Sequence, residues 1–316
     1  MRGALMAMVQ ELDGQYLRTA FVQAKTYIEE HVAELNALNV YPVPDGDTGI
    51  NMLCTMRAAV EALDGVTSTS ASVISAKAAR GALLGARGNS GVILSQILMG
   101  IAKGMEKKDR FSPLDFANSL RIATEMAYRT VTNPVEGTIL TVINEVAKVA
   151  SQVAARGLSF GRVVAAIIIR AEKIVEKTPE MLPVLKDAGV VDAGAKGLLY
   201  ILHGMRCFSG NESDKSKKLD MSQQSKIVSP ENGYGFDVQF LIEGRNMPIS
   251  EMRDRITNMG ESVLVVGDEN LVRVHIHTYK PDIVLEYARG LGKLKDIIVD
   301  NMDEQVNKRQ EMRHER

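Results

Sequence analysis

Asp45 and Asp47 stand two residues apart in Asn39-Val-Tyr-Pro-Val-Pro-Asp-Gly-Asp-Thr-Gly-Ile-Asn-Met52, a segment punctuated by two prolines and two glycines. Proline fixes φ and glycine permits tight or positive-φ turns, so a shaped loop presents the two carboxylates. Like charges this close repel unless a cation joins them, which makes the loop a candidate holder of a hard ion such as Mg²⁺. It is not an EF-hand: counted from Asp45, Gly49 and Ile50 fill the fifth and sixth positions and the twelfth is Met56. A capped helix start at Asp47 or Thr48, without metal, is the plainer alternative.

A second segment, Gly81-Ala-Leu-Leu-Gly-Ala-Arg-Gly-Asn-Ser-Gly91, runs into the apolar residues 92–101. The free N–H groups of a helix start bind phosphate, so Gly88, Asn89, Ser90 and Gly91 are candidate phosphate contacts; close helix packing is the other use of such glycines. No GxxxxGK[ST] occurs, which excludes a P-loop NTPase. Beside the aspartate pair, this segment suggests a metal–nucleotide site, because Mg²⁺ prefers a carboxylate or two plus phosphates to an all-protein cage. Glycine turns at Gly137-Thr138 and Asp192-Ala-Gly194 could add hydroxyl, amide and purine contacts.

A third constellation is Leu271-Val-Arg-Val-His-Ile-His-Thr278, whose alternation places Arg273, His275 and His277 on one face of a strand. Two histidines at i and i+2 can share a metal, and Asp237 on an adjacent strand is a candidate third ligand for Zn²⁺. A solvent-facing sheet surface is the alternative. His31, His203 and His314 receive no catalytic role.

These residues need elements to position them. From Asp13 to about Phe208 the apolar spacing is helical, with eight or nine helices beginning near Gln15, Thr48, Ser72, Ser90, Ser112, Gly137, Ser159, Pro179 and Asp192. Ser112-Pro-Leu-Asp115 combines an N-cap, a first-turn proline and an acid at the positive end of the helix. Residues 211–229 are polar and lysine-rich and read as a linker between domains at 1–210 and 230–316. Beyond it the period changes to two, and strand, helix, strand, strand, helix, strand follow near 236–242, 250–259, 262–266, 271–278, Pro281 and 296–300. That βαββαβ order fits a small ferredoxin-like α+β domain with its first and third strands side by side.

The whole chain narrows the choices. Its 316 residues carry a net charge of −1, 5% aromatics and no Trp, which argues against a nucleic-acid partner. Cys54 and Cys207 are too few for a disulfide framework and read as buried hydrophobes, pointing to a reducing, cytoplasmic setting. Residues 1–9 lack the apolar core of a signal peptide, and no apolar run is long enough to span a bilayer.

The segments Asn36-Ala-Leu-Asn39 through Gly49, Gly85-Ala-Arg-Gly-Asn-Ser-Gly91, Pro134-Val-Glu-Gly-Thr138 and Val191-Asp-Ala-Gly194 resemble the motifs of DhaL-type kinase domains, in the FakA-like branch of the bacterial fatty acid kinases. His275-Ile-His277 and Asn301-Met-Asp-Glu-Gln305 resemble that family's middle domain, so the likeness covers nearly the whole chain. The resemblance implies an antiparallel, barrel-like bundle of eight helices. It implies ATP bound through two Mg²⁺ ions at Asp45 and Asp47, with Asn39 near a third ligand position usually held by aspartate in related dihydroxyacetone kinases. Thr48, Asn51, Gly88 to Gly91, Gly137, Thr138, Asp192 and Gly194 would line the nucleotide site. On this reading His275 and His277 take an accessory metal or phosphoryl-contact role, and Asp45, Asp47, His277 and Arg273 are the catalytic candidates.

The same resemblance implies transfer of the γ-phosphoryl group to a fatty acid carboxylate presented by a separate fatty-acid-binding partner protein, and it leaves a homodimer open. A dihydroxyacetone-type kinase and a non-catalytic nucleotide-binding regulator are the rival readings. Two departures stand out. Asp237 occupies the place where the family's middle domain is expected to carry a zinc-binding Cys, and the sequence stops at Arg316 where family members commonly continue into a lipid-binding-protein-like domain.

Overall fold

The structure, a computed structural model, describes residues 11–206 and 233–314. The expected linker at 211–229, Cys207, residues 1–9 and the His314 side chain lie outside what is described. The helical region comprises β1 (Leu12–Asp13), α1 (Gly14–Glu30), α2 (Val32–Leu38), α3 (Thr48–Glu61), α4 (Ala71–Gly85), α5 (Gly88–Gly104), β2 (Arg110–Phe111), α6 (Pro113–Thr130), α7 (Ile139–Ala154), α8 (Phe160–Met181), α9 (Pro183–Ala188) and α10 (Ala193–Gly204). Ten helices among the described residues replace the expected eight or nine. One difference is a break at His31, where φ −117° and ψ 10° separate α1 from α2. Another is at Pro179, which lies inside α8 instead of opening a helix; Pro183 opens α9.

The expected start at Ser112 is present in full. Ser112 Oγ accepts the Asp115 N–H, and the Asp115 carboxylate accepts the Ser112 N–H, closing a capping box. Helix α5 is apolar on nearly every side and is buried accordingly, with Val92, Leu94, Ile97 and Leu98 in the core and α3, α4 and α6 packed around it. Helix α10 packs on α1, α7 and α8, drawing the two ends of the helical run together.

The second region comprises β3 (Phe236–Glu243), α11 (Ile249–Thr257), β4 (Glu261–Asp268), β5 (Leu271–Thr278), α12 (Pro281–Arg289), β6 (Lys293–Asn301) and α13 (Met302–His314). The strands lie in the order β4-β5-β3-β6, every pair antiparallel, with β3 and β5 adjacent as expected. Helix α13 is an addition to the expected βαββαβ order.

One sheet face is apolar: Val238, Phe240, Ile242, Val272, Val274 and Ile276 pack with Met252 and Ile256 of α11 and Val284 and Ala288 of α12. The other carries Asp237, Gln239, Arg273 and His275, and it is buried as well: Asp237 is 7% exposed, Arg273 2% and His275 1%. The solvent-facing alternative is therefore overturned. That face lies against the helical region, where Leu264 and Val266 join its core, Gln239 Oε1 accepts the Gly88 N–H at 2.9 Å, and Arg80 pairs with Asp268 at 3.0 Å. A period of two marks a polar face without telling water from another polar protein surface.

Candidate functional site

The loop between α2 and α3 is held from three sides. Asn39 donates from Nδ2 to the Val43 carbonyl at 3.0 Å, and its Oδ1 accepts the N–H groups of Gly46 and Asp47 at 3.1 Å each. Both lone pairs of that oxygen are thereby used, so Asn39 braces the loop and has none left for a metal in this geometry. Asn36 Oδ1 accepts the N–H groups of Gly49 and Ile50 at 2.8 and 3.2 Å, capping α3 from outside; Asp47, its N-cap residue, makes no side-chain cap bond and stays available.

Arg309 of α13 donates to four carbonyls: Asn39 at 2.5 Å, Pro44 at 2.7 Å, and Asn36 and Ala37 at 2.9 Å each. Its charge sits at the C-terminal end of α2, where helix carbonyls converge. Gly46 takes φ +80°, and a Cβ there would lie 2.9 Å from Arg309 Nε, so the glycine serves both the turn and the clamp. Met302 and Val306 of the same helix pack on Val43.

The braced loop leaves two carboxylates close together. Asp47 Oδ2 accepts from Asn51 Nδ2 at 2.7 Å, and Asp45 and Asp47 share a hydrogen bond. Burial pushes the Asp45 carboxyl well up, and the Asp47 and Asp237 charges push it further. Burial also raises Asp47, with Asp237 adding to it while Asn51, Asp45 and His275 oppose. Without a cation, such a pair keeps a proton; a divalent ion relieves both the burial and the repulsion.

Several helix N-termini approach the same end of the bundle. Helix α5 begins at Gly88, two residues before the expected start near Ser90, so Gly88 to Gly91 form its first turn and only Ala86 and Arg87 are loop. Gly88 takes φ +57° and fits against Asn51 of α3, where a Cβ would collide with Asn51 Nδ2. Thr138 caps α7 through Leu140 N–H. Asp192 Oδ1 accepts Ala195 N–H at 2.7 Å, capping α10. Burial lifts the Asp192 carboxyl to about 7, against the N–H groups of Ala195, Ile139 and Gly194 that favour its ionised form. A Cβ on Gly194 would lie 3.7 Å from Ser90 Oγ, so the starts of α10 and α5 lie close together.

The sheet supplies the opposite wall. Across the β3–β5 ladder Asp237 faces His277 and Gln239 faces His275. Asp237, His275 and His277 each offer a ligand atom, all within 4.8 Å of one another. His275 Nδ1 lies 3.0 Å from Asp237 Oδ1 but is not aligned for a hydrogen bond, and both atoms, with His275 Nε2, are buried without a partner. Unpartnered buried polar atoms are costly, and Asp237 Oδ1 with one ring nitrogen of His275, beside His277, is chemically suited to a cation. Burial and the neighbouring His275 charge bring His277 down to about 3 against the pull of Asp237, keeping its ring neutral as a metal ligand must be. Burial would raise Asp237, but His275, His277 and Gln239 outweigh it and hold it ionised.

The two walls meet. One cavity of about 20 Å³ is lined by Asn39, Asp45, Asp47, Thr48, Asn51, Gly88, Asn89, Ser90, Asp237, His275 and His277. The aspartate loop and the histidine strand, separate constellations in the sequence, thus face each other. Gly91 lies beside this cavity, packed on Thr55; Gly137, Thr138, Asp192 and Gly194 stand behind it as helix starts and caps. Arg273 points elsewhere, donating to the Leu83 and Leu84 carbonyls at the end of α4 and lining a second cleft. Cys54 also lines that cleft and is half-buried, not fully buried as expected. Asn36, Gln239 and Arg309 are the structural contributors that sequence reasoning passed over.

Comparison with known proteins matches residues 42–207 to the family model of the DAK2 domain and residues 233–309 to that of the FakA-like middle domain of fatty acid kinases. Protein YloV of Bacillus subtilis (strain 168) is 36% identical over 313 residues, covering 94% of this chain and 57% of the relative. An uncharacterized protein of Staphylococcus saprophyticus is 36% identical over 313 residues, covering 94% and 56%. The chain spans about half the length of the curated relatives it matches. No helix of the described residues is long and apolar enough to cross a membrane.

Proposed function

We propose, for a chain that belongs to the DAK2 domain family and carries a FakA-like middle domain, that it is an ATP- and Mg²⁺-dependent kinase acting on a fatty acid carboxylate. The observation that carries this reading is the meeting of the Asp45–Asp47 pair with the N-terminus of α5 in one cavity. The pair would hold Mg²⁺, which neutralises phosphate charge when bound. The first-turn N–H groups of α5 at Asn89 and Ser90 have no intrahelical acceptor and would bind phosphate oxygens, with Thr48 and Asn51 alongside. Asp237, His275 and His277 would hold a second kind of cation, Zn²⁺, on the sheet wall.

In this reading an acceptor carboxylate oxygen bonds to the γ-phosphorus, the bond from that phosphorus to the β–γ bridging oxygen breaks, and acyl phosphate and ADP leave. The acceptor is already anionic, so the chain's own task is to bring two anions together and exclude water. A cavity of about 20 Å³ takes an ion but not a triphosphate. Nucleotide entry therefore requires the sheet wall to draw back and release the Gly88 N–H from Gln239. With the short α2 and α9 set aside, we read the eight longer helices as the barrel-like bundle and the β4-β5-β3-β6 order as ferredoxin-like. The domain division at 1–210 and 230–316, a fatty-acid-binding partner protein and a cytoplasmic setting belong to the same proposal.

Acceptor identity decides the function. With ATP and Mg²⁺, phosphoryl transfer is expected to fatty acid delivered by a fatty-acid-binding protein and not to free dihydroxyacetone. Transfer only to dihydroxyacetone overturns the carboxylate reading, and nucleotide binding without transfer to either replaces it with a regulator.

A further inference from the structure

The second cleft, of about 370 Å³, opens between the adjoining parts of α3 and α4 and the edge strand β6, and no residue of it belongs to the cavity described above. Its lining brings three guanidinium groups, Arg57, Arg87 and Arg273, together with two carboxylates, Glu61 and Asp296. Arg57 is already paired with Glu29 at 3.0 Å, and Arg273 is engaged by the α4 carbonyls. The Arg87 side chain is exposed and makes no hydrogen bond or ion pair with the described residues, its charge reaching only the Asp300 carboxylate of β6 and the Arg273 guanidinium. One uncommitted cation, in a lining with a single positive charge in excess, suits a monoanion better than a polyphosphate.

The remaining surface is aliphatic. Leu84 is 42% exposed and Ile297 45%, and both line the cleft. None of the lining residues is aromatic, so a nucleobase would find no ring to stack on. The cleft is also built rather than incidental. The β3–β6 register slips between Gln239 and Leu241, and Asp296 in the resulting bulge adopts φ +48°. A bulge re-aims side chains, and a non-glycine residue in the left-handed region is held there against a conformational cost. Here it turns Asp296 and Ile297 toward the cleft.

We propose that this cleft is a binding subsite for the carboxylate end of an aliphatic acid, with Arg87 as its anchor and Leu84 and Ile297 covering the first carbons of the chain. Arg87 immediately precedes Gly88, which lines the aspartate cavity, so a carboxylate on Arg87 lies beside the first turn of α5. Its assignment as the acceptor subsite rests on the kinase reading; the carboxylate site itself does not.

Cys54 in the cleft wall reports occupancy directly. Alkylation of Cys54 by iodoacetamide, followed by peptide mass spectrometry on the full chain, is expected to slow several-fold with decanoate and to stay unchanged with decanol or inorganic phosphate. Arg87→Gln, at an exposed position, is expected to weaken decanoate protection about tenfold, the worth of one charge-assisted contact. Leu84→Asn weakens it as well, by removing aliphatic cover. Unchanged alkylation with decanoate, or full protection in Arg87→Gln, overturns the proposal, and protection by phosphate alone reduces the cleft to a plain anion site and overturns the aliphatic assignment. Protection without phosphoryl transfer to carboxylate leaves the site standing and removes the kinase reading; transfer with Cys54 unprotected does the reverse.

Discussion

On the helical side of the cavity, the groups that shape the Asp45 loop are satisfied by protein: Asn36 and Asn39 hold its N–H groups and Arg309 its carbonyls. On the sheet side, Asp237 Oδ1 and both ring nitrogens of His275 are buried without a hydrogen bond. The first wall is pre-organised by the chain alone, so its carboxylates keep their geometry whether or not an ion is present. The second leaves buried polar atoms that a bound cation would satisfy. In the proposed reading such a site would separate two tasks: positioning phosphate and metal on the braced side, and completing the site on the side whose buried polar atoms lack partners.

The comparison breaks first at the aspartates. Asp45→Asn combined with Asp47→Asn is expected to cut phosphoryl transfer about a thousandfold or more, because the charge that holds the cation is gone. The same double variant should melt no lower than the parent in chelator, since two crowded carboxyls are neutralised; steady-state rates and thermal melts check both halves. Arg309→Ala comes next, with an expected loss of about 3 kcal/mol in denaturant titration, because buried carbonyls lose their donors. A loss within error would mean that α13 does not clamp the loop.

Asn39→Ala is expected to cost about 2 kcal/mol, since the Gly46 and Asp47 N–H groups lose their acceptor. Asn39→Asp should keep much of that stability, which separates bracing from metal ligation: a strong gain in Mg²⁺ affinity in that variant would mark the position as a ligand after all. The smallest effect belongs to the sheet wall. His275→Leu combined with Asp237→Leu in chelator is expected to change stability by less than about 1 kcal/mol or to raise it, because the buried pair is removed whole and no lone charge is left behind. In the same double variant, bound Zn²⁺ measured by mass spectrometry should fall; unchanged metal content would remove both residues from the ligand set.

Much of this was legible in the sequence wherever the signal was local. The Asp45–Asp47 loop, the Ser112 capping box, the order βαββαβ and the pairing of His275 and His277 on one strand face all follow from spacing within a few residues. What escaped was long-range. Arg309 acts on Asn39 across 270 positions, and nothing in the polar helix that carries it distinguishes a buried clamp from a solvated arginine. The burial of Asp237 and His275 was hidden because alternation reports polarity, and a strand facing helix N-termini is as polar as one facing water. Gly85 and Gly91 looked like parts of a phosphate loop, but they serve the close packing of α4 and α5 on α3. Only Gly88 to Ser90 of that segment reach the cavity.

The central claim is that the aspartate loop and the histidine strand form one site. Calorimetric titration of Mg-ATP into Asp45→Ala and His277→Ala, each metal-loaded and compared with the parent chain, tests it most directly. The account predicts that both variants weaken Mg-ATP binding, the loop variant more than the strand variant. Full parent affinity in His277→Ala, beside a loss in Asp45→Ala, would contradict it and return the two constellations to separate sites.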